Sequence, residues 1–261
     1  MRPQFIQLIA DYQTGDPAFS EVIQKLTLLI PGVTVIPTSV PRFSTLATGF
    51  WTGQLASVNP VPDMVIYTNT APRRDQTGSR TRNEGERLVY AELDNGVRII
   101  GVNAGYCFSF VKTMISKFVW VNVANRGSQF RSRDFYPEAV AGIIRNEPKW
   151  IGSRIGPDTL PEVPPGKLAW IDGYGNLKTT TPKSAVSFKL GQPVLIELNG
   201  MGRTAYYSDG TFAVREGEMA FAPGSSGGDD PFMEIFLRGL SAHDEFGNPD
   251  TETQFRVKAQ R

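Results

Sequence analysis

The chain has 261 residues, 40% of them hydrophobic and 20% charged, with a formal net charge of +1. That composition supports one large domain or two ordinary ones, excludes a disordered chain, and gives no basic excess to argue for nucleic acid. The single cysteine, Cys107, and the single histidine, His243, exclude a disulfide framework and argue against zinc or iron sites built from several thiolates or imidazoles.

The N-terminal "MRPQFIQLIADYQ" carries one arginine and an apolar run too short for a signal peptide. With no apolar stretch of about 18 residues anywhere, the expectation is a soluble cytoplasmic protein without a membrane segment. "FIQLIA" (5–10) reads as a buried strand. Asp16 followed by Pro17 is a helix start, a capping carboxylate and then proline at the first helical position; Phe19, Val22, Ile23 and Leu26 follow at helical spacing until Pro31. "VTVI" (33–36), "MVIYT" (64–68), "RLVYAEL" (87–93), "VRIIGV" (97–102) and "FVWVNV" (118–123) read as strands, and "CFSFVKTMI" (107–115) and "YPEAVAGIIRNE" (136–147) as helices. Alternating strands and helices predict an α/β domain, residues 1–155, with a mixed or parallel sheet flanked by helices. The polar, doubly charged segment 73–87 reads as a mobile surface loop, alternatively a lid.

"SRIGPDTLPEVPPGK" (153–167) has the proline and glycine content of a boundary, so a linker is expected over 156–166. Beyond it, "KLAWID", "PVLIEL", "TAYYSD", "TFAVRE", "MAFAP", "FMEIFL" and "QFRVKAQ" are short strand-like runs separated by glycine turns. They predict a smaller all-β, barrel-like domain over 167–261. Neither G-x-G-x-x-G after a strand nor a Walker A loop occurs, and "GSSGGDD" (224–230) precedes a strand rather than a helix, which disfavours dinucleotide enzymes and NTPases. A Ser-His-Asp triad could draw only on His243, and no G-x-S-x-G frames a serine.

Four stretches together resemble one family. "ADYQTGDPAF" (10–19), "FRSRDFYPEAVAGI" (130–143), "WIDGYGNLKTT" (170–180) and "GSSGGDDPFMEIFLRGLSA" (224–242) are similar, in this order, to segments of the S-adenosyl-L-methionine hydroxide adenosyltransferases (the SAM hydrolases) and their fluorinase and chlorinase relatives. The resemblance spans most of the chain and is distant. It implies a two-domain protein that assembles as a homotrimer. S-adenosyl-L-methionine would be its substrate, held between neighbouring subunits, and no metal is expected. The implied reaction is displacement of methionine from the ribose C5′ by water or halide.

Residue roles follow from the same resemblance, each beside a plainer reading. Asp11 ends the first strand, where it would hold the ribose hydroxyls or simply cap the strand. Asp16 would bind the substrate, cap the helix, or both. Phe43 would lie beside the ribose or in a buried loop. In "WIDGYGN", Asp172 would take the methionine amine and Asn176 the adenine edge, with Tyr174 beside them; the alternative is an Asx turn. Ser225 and Ser226 would contact the methionine carboxylate or form a Ser/Gly loop.

The water-activating Asp-Arg-His set of the hydrolases is not intact. Its Asp becomes Ala71, or Asn69 with a small shift; its Arg could be Arg73, Arg74 or Arg80; its His position is Arg131, which cannot accept a proton. Ser132 matches the serine that donates to halide in the fluorinases. A hydroxyl beside a guanidinium suits an anion better than water, unless Arg131 and Arg133 merely pair with Asp134 or other acids. Three readings result: an adenosyl-transferring enzyme using water or an anion, a non-catalytic S-adenosyl-L-methionine- or nucleoside-binding protein on the same fold, and a different small-molecule enzyme reusing the pocket.

Overall fold

A computed structural model describes residues 4–70, 86–124, 128–210 and 213–260. The chain divides into two compact units, Met1–Glu162 and Val163–Arg261. Each is built on one mixed, seven-stranded sheet. No helix among the described residues is long and apolar enough to cross a membrane.

The first unit runs β1 (Phe5–Ala10), α1 (Pro17–Leu29), β2 (Thr34–Ser39), α2 (Thr45–Ser57), β3 (Val65–Asn69), β4 (Leu88–Leu93), β5 (Arg98–Val102), β6 (Ile115–Val121), α3 (Arg131–Asp134), α4 (Tyr136–Ile144) and β7 (Ile151–Arg154). Its strand order is β2-β1-β3-β5-β4-β6-β7. The pairs β1/β2, β1/β3 and β3/β5 are parallel, and β4/β5, β4/β6 and β6/β7 are antiparallel. β3 is buried over Val65–Thr68, as a strand covered on both faces must be. β2 lies at the edge, which lets it hold Pro37.

The sequence hides α2. Thr45, Thr48, Thr52, Gly49 and Gly53 are all weak helix formers. Packing overrides propensity: a Cβ on Gly49 would lie 2.1 Å from the Tyr106 carbonyl oxygen, and one on Gly53 2.8 Å from Phe110 Cβ. The glycines therefore let the segment carrying Tyr106 and Phe110 lie directly on α2. Ser44 caps the helix by accepting from the Ala47 amide at 3.2 Å. The helix expected over 107–115 is a 3-10 turn over Ser109–Met114, and Ile115 already begins β6. Part of the stretch expected as linker packs on this unit: Leu160 is buried, and Ser109 and Lys112 donate to the carbonyls of Pro161 and Leu160. The loop expected over 73–87, with Arg73, Arg74 and Arg80, lies outside the described residues except at its end, and Ala71 lies outside them as well.

The second unit runs β8 (Leu168–Ile171), β9 (Leu177–Pro182), β10 (Pro193–Leu198), β11 (Met201–Tyr207), β12 (Met219–Pro223), β13 (Phe232–Leu237), α5 (Ala242–Glu245) and β14 (Phe255–Ala259). The order is β14-β10-β11-β12-β13-β9-β8, and β11/β12 is the parallel pair. Leu168, Leu177, Ile196, Phe221, Ile235 and Phe246 lie in its core. The start of β8 also bonds the start of β14: Leu168 N donates to Thr253 O, and Phe255 N to Gly166 O. Of the strand expected in "TFAVRE", residues 213–216 form no strand; Glu218 holds the turn that follows by accepting from the Arg215 amide.

Candidate functional site

The strand order creates a crevice in the first unit. β1 leads through α1 to β2 on one side, and β2 leads back through α2 to β3 on the other. Right-handed crossovers place α1 and α2 on opposite faces of the sheet, so the C-terminal ends of β1 and β3 form a topological switch point. Asp11, Tyr12, Asn69 and Thr70 sit there.

The Asp11 amide donates to Asn69 O at 3.3 Å, which ties the two strand ends together. The Asp11 carboxylate accepts from the Phe43 amide at 3.2 Å. Phe43 has φ +63°, a left-handed conformation that costs a non-glycine residue about 1–2 kcal/mol. Phe43 is 47% exposed, so the buried-loop alternative for it does not hold within this chain.

Behind Asp11 lies a packed hydroxyl cluster. Tyr12 Oη bonds Ser132 Oγ at 2.5 Å and accepts from Asn69 Nδ2 at 3.1 Å. Tyr67 Oη donates to the Ser132 carbonyl at 3.0 Å. Phe19 and Phe130 meet the Tyr12 ring edge-on, with centroids at 5.1 and 5.7 Å. Burial pushes the Tyr12 hydroxyl well above the usual tyrosine range; the Ser132 bond opposes this and the Asp11 charge adds to it. Burial also raises Tyr67 and Tyr136, and the Arg131 guanidinium acts against the shift at Tyr136. The cluster thus brings Asn69 and Ser132 together through Tyr12, with the Arg131 charge near the Tyr136 hydroxyl. Arg133 turns away to Asp134 at 2.7 Å and Glu21 at 3.1 Å, and lies over the Phe130 ring.

Asp16 occupies the N-cap position of α1, but its side chain makes no cap bond. Its carboxylate instead accepts from the Gln13 amide at 2.9 Å and braces the β1–α1 loop. That loop and the end of β2 enclose a cleft of about 360 Å³, lined by Thr14, Asp16, Phe19, Pro37 and Ser39 among others. Phe19 and Ser39 join it to the cluster, since Ser39 Oγ donates to the Tyr12 carbonyl at 2.5 Å.

In the second unit Asp172 holds its own turn. Its Oδ1 accepts from the amides of Tyr174 and Asn176, and its Oδ2 from Asn176 Nδ2 at 3.0 Å. This is the Asx-turn geometry, closed by Gly175 at φ +78° with its Cα against Ser241. The turn alone does not use Lys178. That ammonium lies 4.0 Å from Asp172 and 2.6 Å from Glu234, its direct cross-strand partner. Glu234 in turn accepts from the Ser225 amide at 3.1 Å. Asp172, Asn176 and Ser225 are therefore joined through a largely buried ion pair. Tyr174 is exposed, whereas Ser226 is buried and its carbonyl accepts from the Phe232 amide.

Sequence reasoning missed Tyr12, Tyr67, Lys178 and Glu234. Two signals were available. Strand alternation sets Tyr67 on the same face as Asn69. Lys178 and Glu234 are also charges inside otherwise apolar or hydroxyl-bearing strands, where a partner is required. Among the described residues no group of three or more His, Cys, Asp or Glu is placed to hold a metal ion.

No protein-family model matches the sequence, and no curated protein does. Two solved structures share the fold. One is an uncharacterized conserved protein from Thermotoga maritima, with TM-score 0.77 and 15% identity over 97% of this chain and 100% of that one. The other is a conserved hypothetical protein from Thermus thermophilus, with TM-score 0.68 and 18% identity over 99% and 100%. At these identities the likeness establishes the fold alone.

Proposed function

We propose that this chain binds S-adenosyl-L-methionine and displaces methionine at the ribose C5′, using an anion more readily than water. The observation that carries the reading is the Asp11 carboxylate at the switch point, bonded to a strained Phe43 and backed by the Asn69–Tyr12–Ser132 cluster. A carboxylate there accepts from two vicinal hydroxyls, and an exposed aromatic beside it stacks on a sugar or base. We read the first sheet with its helices as an α/β domain. We read the second as rolled toward a barrel, supported by the backbone bonds between the start of β8 and the start of β14. The Asp172 turn would take the amino acid end. Asp172, Lys178 and Glu234 together leave one negative charge in excess, so an ammonium is still attracted.

Displacement at a sulfonium carbon needs little acid–base help, because the leaving group is a neutral thioether. In-line placement and a desolvated nucleophile supply the rate. Water must still lose a proton; an anion needs only donors and positive charge, which Ser132 and Arg131 provide. The same feature motivates a second reading. The phenols of the cluster are held protonated and Arg131 stands at the histidine position, as a site that binds without turnover would allow.

Calorimetric titration with S-adenosyl-L-methionine tests the assignment. Asp11→Ala should weaken binding by about 1–3 kcal/mol, the cost of leaving buried hydroxyls unpartnered. In the proposed closed homotrimer, Asp11 of one chain and Asp172 of the next serve one pocket. Mixing Asp11→Ala with Asp172→Ala protein should then restore part of the binding. A monomer by light scattering, or no heat at millimolar ligand, removes the proposal.

A further inference from the structure

We infer that Asn69 and Tyr12 are positioning residues that fix the direction of the Ser132 hydroxyl proton, so that Ser132 faces the nucleophile as a hydrogen-bond donor. The inference rests on the reading above and adds a device to it. An amide NH₂ can only donate, so at the 3.1 Å contact with Asn69 Nδ2 the Tyr12 oxygen is the acceptor. The single phenolic proton of Tyr12 then goes to Ser132 Oγ at 2.5 Å. Ser132 Oγ has accepted one bond and keeps its own hydrogen for another partner. The side chains have little freedom to rearrange: Tyr12 is wedged between Phe19 and Phe130, Tyr67 pins the Ser132 carbonyl, and Ser132 is buried. Burial also keeps Tyr12 protonated, so ionisation does not undo the chain near neutral pH.

In the displacement, a lone pair of the anion forms the new bond to C5′ while the C5′–S pair leaves with the thioether. The Ser132 proton stays on Ser132 throughout. It stabilises the anion in its place and is not transferred.

Reversing the first link tests the relay. In Asn69→Asp the carboxylate accepts the Tyr12 proton, and Ser132 must turn its own hydrogen toward Tyr12. The probe is chloride, bromide or azide at fixed ionic strength with S-adenosyl-L-methionine present, read as the anion-dependent shift in melting temperature; calorimetry gives cofactor affinity separately. Asn69→Asp should raise the half-saturating anion concentration about tenfold, and Tyr12→Phe roughly threefold, the weight of one hydrogen bond, measured at saturating cofactor for each variant. The added charge of Asn69→Asp would repel an anion by itself, so the double variant decides. If the relay carries the effect, Asn69→Asp changes little in the Tyr12→Phe background; simple repulsion gives the same change in both. Equal changes in both backgrounds, no change in either, or no saturable anion response in the native chain overturns the inference. A non-additive anion response without cofactor binding would support the relay and remove the cofactor reading instead. Loss of cofactor affinity and melting temperature together would mark both residues as merely structural.

Discussion

Lys178→Met separates the ion pair of the second unit from its packing. Methionine keeps the apolar stem and removes the ammonium 2.6 Å from Glu234. The Glu234 side chain, 9% exposed, then keeps the Ser225 amide at 3.1 Å as its neighbouring donor. Removing one partner of a buried pair costs about 3–5 kcal/mol. Residual exposure at both side chains favours the lower end, about 3 kcal/mol. Lys178→Met with Glu234→Leu removes both charges and should return stability to within about 1–2 kcal/mol of native, the remainder being the lost bond from the Ser225 amide to Glu234. Native-state hydrogen exchange is the assay, because it reads protection in the amides of β9 and β13 without assuming that the two units unfold together. A single variant within about 0.5 kcal/mol of native, or a double variant worse than both singles, would refute the reasoning.

Gly49→Ala sets packing against propensity. Alanine favours a helix by about 1 kcal/mol, but its Cβ would lie 2.1 Å from the Tyr106 carbonyl, so a net loss of about 1–3 kcal/mol is expected in urea unfolding. At high pH, Tyr90 is pushed up to about 12, first by burial and then by Glu92, and burial raises Tyr12 and Tyr67 further. The folded state holds these protons more tightly than the unfolded chain. Their stabilisation is therefore complete below about pH 10 and is lost as pH rises toward 12, which melting curves with phenolate absorbance would follow. At low pH the sign reverses: Arg145, then Lys149 and Trp150, hold Glu147 at about 2, so its contribution fades as pH falls from 4.5 to about 2. Glu147→Gln should flatten that part of the stability profile.

Legibility in the sequence followed periodicity. β1, β3 and β5 are apolar runs, and α1 carries a proline start with Val22 and Leu26 one turn apart, so local pattern and packing agree. α2 was invisible because its glycines serve the contact with Tyr106 and Phe110, a neighbour more than fifty residues on. Asp16 looked like a cap by position, yet its carboxylate turned to the preceding loop, a choice decided by rotamer and not by residue type. Asp11, Phe43, Asn69 and Ser132 were each weak alone; what joins them is strand order together with Tyr12, and single-residue reasoning supplies neither. The Asp172 turn showed the converse. Its residues were legible as a turn, while the Lys178–Glu234 pair that ties it to Ser225 depends on β9 meeting β13.

The most direct test is mass spectrometry of the purified chain incubated with S-adenosyl-L-methionine, with and without chloride, bromide or azide at fixed ionic strength. Release of methionine with a 5′-substituted adenosine is expected, faster with an anion present than the release of adenosine in anion-free buffer. Cofactor recovered intact under every condition would contradict it.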